Sequence, residues 1–172
     1  MMTDEEAKEY FSDPLRRLEN NHYALEKARD RLEVAIESRD NNEIYTATGE
    51  LLLWVLTTDE WHKKHYKNAY EERRDNNEKG QLLLGLIHAY NSMKHNMNFI
   101  EIHQRKGGVN FASFSFPLAF PPITVHWTTI GQLNEGGKRR IKDYIDFIEG
   151  KEIISTFDTA IEFLYEEYER IK

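Results

Sequence analysis

The sequence predicts an all-α bundle of about five helices, with one short extended insert between the third and fourth. Three observations carry this. Apolar residues recur every three to four positions over most of the 172 residues. Four prolines and nine glycines are too few for a disordered or linker-rich chain. A single stretch, about 109–133, switches to period-two alternation.

Asp13-Pro14 has the form of an N-cap followed by proline at the first helical position. Leu18, Leu25, Leu32 and Ile36 then recur at helical spacing, with Ala24, Ala28 and Ala35 beside them. Arg16, Glu19, Glu26, Arg29 and Glu33 fill the other face, giving an amphipathic helix that ends near Asp40-Asn41-Asn42. A second helix is expected over 43–75. Its first half is nearly continuous in apolar residues, from Leu51 to Leu56, as suits a central helix. Its second half carries His62, Lys63, Lys64, Glu71, Glu72, Arg73 and Arg74, and is expected to project beyond the core. The polar turn 75–80 leads to a third helix over 81–104, which stops before Gly107-Gly108.

In the insert, Phe114, Phe116, Leu118 and Phe120 alternate with small or polar residues, as do Ile123, Val125 and Trp127. Pro121-Pro122 divides two expected extended arms, a hairpin or flap at an edge. A short helix over 138–149 follows, with Gly150 as its stop. In the last helix Ile154, Phe157, Ile161, Leu164, Tyr168 and Ile171 form a narrow seam for another helix, within the chain or across a dimer.

One domain over 1–172 accommodates all of this. The formal charge of −7 argues against a generic basic nucleic-acid coat, although local basic clusters remain. The absence of cysteine removes disulfides and thiolate chemistry. The acidic start and the short apolar runs point to a cytoplasmic protein with no membrane span.

The third helix carries the most suggestive chemistry. His88, Asn91 and His95 fall within about 60° of one another on a helical wheel. Asn and His are mediocre helix formers, so such a face needs a reason other than propensity. It reads either as a site with a proton donor or acceptor suited to neutral pH, or as a hydrogen-bonded or plain surface.

Residues 85–95, Gly-Leu-Ile-His-Ala-Tyr-Asn-Ser-Met-Lys-His, resemble the motif helix of the HEPN superfamily. That signature is an Arg, often followed by Asn, with a His four to six residues on. Asn91 and His95 fall on matching positions, while the Arg position falls on Tyr90. The resemblance, over about 45–165, implies an all-α domain of the toxin and phage-defence type. It also implies a homodimer in which two motif helices face each other and cleave RNA without a metal or other cofactor. It gives His95 the role of proton acceptor or donor, and Asn91 a phosphate or orienting contact. Tyr90 offers one neutral hydrogen bond where Arg would offer a charged fork. Lys94 or the Arg105-Lys106 pair then becomes the source of positive charge at the substrate. A non-catalytic module that binds a partner protein is the competing expectation.

Glu50 shares a stripe with Ala47, Trp54 and Trp61. It is either an acid that orients His88 or His95, or a surface acid favoured by the helix dipole. Glu19-x-x-His22, Asp59-x-x-His62 and His62-x-x-His65 have metal-like spacing. A di-iron site needs a second Glu-x-x-His, however, and the lysines around His62 suit a solvated face better. No Gly-rich phosphate loop is present. The insert aromatics, with Lys138-Arg139-Arg140 nearby, either stack bases or fasten the insert to the core.

Overall fold

The computed structural model describes residues 3–104, 123–129 and 141–172. In chain order the elements are α1 (Asp4–Ser12), α2 (Pro14–Ser38), α3 (Asn41–Asp75), α4 (Glu78–Lys94), β1 (Ile100–Gln104), β2 (Ile123–Trp127), α5 (Ile141–Phe147) and α6 (Ile153–Glu169). The architecture is the expected helical bundle with a small extended element between α4 and α5.

Side-chain caps set most helix starts. Asp13 accepts from the Leu15 amide at 2.9 Å ahead of Pro14, and Asp40 accepts from the amides of Asn42 and Glu43. Asn77 serves α4 and Glu152 serves α6 in the same way. The additional helix α1 begins with a capping box. Thr3 and Glu6 bond each other's backbone amides, a pattern that Thr3-x-x-Glu6 spells in the sequence.

Leu18, Leu25 and Leu32 of α2 are fully buried with Ile44, Leu51, Leu52 and Val55 of α3. Leu83 and Leu86 of α4 and Phe157, Phe163 and Leu164 of α6 close the same core. Each such side chain contributes about 1.5–3 kcal/mol by leaving water. The seam of α6 is therefore used within the chain.

Three expectations need correction. The third helix stops at Lys94, because Asn96 takes a left-handed conformation (φ 56°). The chain then runs extended as β1, which pairs antiparallel with β2 from Ile100↔Trp127 to Gln104↔Ile123. Ile123, Val125 and Trp127 thus form an arm of a hairpin, but its partner is 100–104. The expected first arm, Phe114 to Phe120, lies outside the described residues.

The second correction concerns α3. It bends sharply at Tyr66 (φ −132°, ψ 25°), so its charged half folds back and does not project. Asp59 and Arg74 would be about 22 Å apart along a straight helix; here Arg74 Nη1 lies 3.3 Å from Asp59 Oδ1. Burial of Tyr70 and neutralisation of Asp59 reward the bend. The third correction follows from it, since His62 is buried and not on a solvated face.

Gly150 (φ +68°) ends the α5 segment, as its position predicts. Its amide donates to the Trp127 carbonyl, and the Trp127 amide donates to the Lys151 carbonyl. Trp127 is thereby buried edge-on against Phe157. Among the described residues, no helix is long and apolar enough to cross a membrane.

Candidate functional site

The end of α4 presents the expected residues in two environments. His88 is buried, with its ring edge-on to Tyr144 of α5 at 5.2 Å. Its Nε2 has no hydrogen-bond partner, and burial lowers its pKa. One and two turns on, Asn91 and His95 are both exposed. The His95 amide donates to the Asn91 carbonyl at 3.1 Å, which holds this last turn together. Lys94 reaches back over the half-buried Tyr90, with its Nζ 5.5 Å from the ring centroid. The single stripe read from spacing is thus divided: a carboxamide and an imidazole face solvent, and His88 is packed beneath α5.

Glu50 is oriented elsewhere. Its carboxylate accepts from Arg31 Nη2 of α2 at 2.5 Å. It lines a groove of about 520 Å³ between α2 and α3, with Val34, Ala35 and Ala47 among its walls. The pairing with His88 or His95 gives way to this ion pair, because the α2-facing side of α3 carries position 50. Arg105 and Lys106 lie outside the described residues, as do Lys138, Arg139 and Arg140.

A second polar assembly was not expected. Asp59, 1% exposed, accepts from the Tyr70 hydroxyl at 2.6 Å and faces Arg74 Nη1 at 3.3 and 3.4 Å. Burial pushes the Asp59 carboxyl up, against the pull of Arg74 and the Tyr70 hydroxyl. The Tyr70 ring stacks on His62 at 5.2 Å. Nearby, α6 holds His22 against the rings of Tyr165 and Tyr168, each at 4.6 Å. Neither nitrogen of His22 has a hydrogen-bond partner, nor does Nε2 of His62. Desolvation lowers both imidazoles to about 4, with their mutual repulsion and Arg73 adding to the effect at His62. Arg73 forms a two-pronged pair with the buried Glu167 of α6.

Helical spacing held a signal for this assembly. His22 stands four residues after Leu18 and three before Leu25, while His62 continues the stripe Leu51, Val55, Thr58. Their charged sequence neighbours conceal that both point inward. Among the described residues, no three His, Asp or Glu side chains are grouped to hold a metal ion.

No family model matches this sequence, and no curated protein or solved structure matches it.

Proposed function

We propose that the chain is a HEPN-like protein that cleaves RNA without a metal ion, at a composite site formed when two copies set their α4 ends together. A toxin or phage-defence setting in the cytoplasm belongs to the same proposal. The observation that carries it is the exposure of Asn91 and His95, one turn apart at the end of α4.

An imidazole exchanges protons near neutral pH. His95 of one copy takes the proton of a ribose 2′-hydroxyl, and the 2′-oxygen bonds to the adjacent phosphorus. The bond from phosphorus to the 5′-oxygen breaks, and His95 of the second copy protonates that oxygen. A 2′,3′-cyclic phosphate and a 5′-hydroxyl result. Asn91 hydrogen-bonds the phosphate. The Lys94 ammonium, held over Tyr90, offsets charge on the phosphorane oxygens.

One observation favours a second reading, in which the same turn binds a partner without chemistry. Tyr90 stands where the motif has Arg, so the bidentate charged fork is missing.

The deciding experiment is incubation of labelled RNA with the full chain in EDTA, with His95→Ala alongside and the oligomeric state of both determined. The expected result is cleavage by a dimeric wild type, with cyclic-phosphate ends, and about 100-fold or greater loss in His95→Ala. Folded wild type that leaves single-stranded and structured RNAs intact would overturn the proposal in favour of the binding module.

A further inference from the structure

We infer that the bend of α3 is a separate binding surface for single-stranded nucleic acid, taking its bases by stacking and its phosphates by lysine. The bend exposes every residue from 64 to 69. It carries an aromatic cluster: the Trp61 ring lies 4.3 Å from His65 and 6.1 Å from Tyr66. The cluster is anchored, because Trp61 Nε1 donates to the Pro14 carbonyl at 2.9 Å, fixing the indole at the start of α2. Tyr66, at the non-helical position itself, is 44% exposed, so a broad aromatic face is open to solvent.

Charge identifies the occupant. The chain has 30 acidic residues and a net charge of −7, yet no Asp or Glu occurs between Trp61 and Tyr70. That interval holds Lys63, Lys64 and Lys67 with the exposed His65, while His62 is buried. Glu60, just before it, is paired with Lys63, and Glu19 of α2 is paired with Arg16. Lys64 and Lys67 make no ion pair among the described residues, and both are exposed. An anionic partner is therefore favoured here against the charge of the whole molecule.

Stacking rings beside unpaired ammonium groups suit a strand whose bases are free to splay, since each base offers a flat face and each linkage a phosphate. A duplex hides its bases, and an acidic peptide has no flat group to match Trp61, His65 and Tyr66.

The surface is distinct from the α4 end. Gly49 of α3 packs against Met93 of α4, and Tyr66 lies about 25 Å farther along α3 at the helical rise. The inference goes beyond the proposed cleavage site and does not depend on it.

The test is fluorescence anisotropy of a 5′-labelled thymidine DNA dodecamer, which lacks the 2′-hydroxyl that cleavage needs, titrated with the full chain between 50 and 200 mM salt. Wild type should bind, more weakly as salt rises. The double variant Lys64→Gln/Lys67→Gln should lower the slope of log affinity against log salt by about 1.4. Tyr66→Ala should weaken binding about tenfold, while Val34→Ala, 63% exposed on α2 and about 30 Å from Pro14 at the helical rise, binds as wild type. All four residues are exposed, so circular dichroism should confirm that the variants keep the fold. Absence of wild-type binding at the lowest salt would overturn the inference, as would equal binding by the bend variants. Equally tight binding of a labelled oligoglutamate would overturn it too, reassigning the surface to acidic peptides.

Discussion

Acid should loosen this protein through His22 and His62 in particular. In the native state burial holds both imidazoles neutral, with pKa values lowered to about 4, while an unfolded chain returns them to the ordinary histidine value of 6.5. Between those values the unfolded state binds more protons than the native one. The stabilisation is therefore complete above pH 6.5 and is lost as pH falls toward 4. At pH 5 the linkage relation gives about 2 kcal/mol of lost stability for each imidazole, or about 4 kcal/mol for the pair. Urea unfolding at half-unit steps from pH 8 to 4.5 measures this directly. Because carboxylates also titrate in acid, the informative quantity is the difference from His22→Phe/His62→Phe, which keeps rings against Tyr165, Tyr168 and Tyr70. Between pH 6 and 4.5 the wild-type slope should exceed that of the variant by about 1.7 protons, or about 2.3 kcal/mol per pH unit. Parallel curves would refute the assignment.

Other substitutions separate buried from exposed interactions. Asp59→Ala leaves Arg74 Nη1 and the Tyr70 hydroxyl buried without their partner, while Asp75 still holds Arg74 Nε at 2.9 Å; it should cost about 1–3 kcal/mol in chemical denaturation. Glu50→Ala removes the half-exposed pair with Arg31 and should cost no more than about 1 kcal/mol by the same measurement. At Gly80 a Cβ would stand 2.6 Å from the Arg74 carbonyl oxygen and 2.8 Å from its Cα. Gly80→Ala should thus destabilise by about 1–3 kcal/mol, since backbone must move. Gly49→Ala meets only the Met93 sulfur at 2.7 Å; that flexible side chain can yield, and thermal unfolding should shift far less.

The helices were legible wherever local chemistry decides them. Asp13-Pro14 marks the start of α2, and the spacing of Phe157, Ile161, Leu164 and Tyr168 defines α6. Distant partners decide the rest. Asn96 after Lys94-His95 is a local stop signal for α4, but nothing near it announces that 100–104 pair with a strand some twenty residues on. The bend at Tyr66 likewise answers to Asp59, eleven residues from Tyr70 and fifteen from Arg74. At the candidate site, spacing placed Asn91 and His95 on one stripe, but only tertiary packing buries His88 under α5 and turns Glu50 toward Arg31.

The cage around His22 also has a history within each molecule, because its walls are made at different times. Leu18, Leu25 and Leu32 can meet α3 as soon as that helix leaves the ribosome, whereas Tyr165 and Tyr168 are synthesised more than a hundred residues after His22. At ordinary elongation rates of about 5–20 residues per second, that gap lasts roughly 7 to 28 seconds. Throughout it His22 lacks its two tyrosine walls, and Glu26 and Arg29 lack the α6 partners Tyr165 and Asp158. The stacking around the imidazole and these two polar pairs can therefore form only after α6 has been made, so the last helix completes the cage that the first part of the chain leaves open.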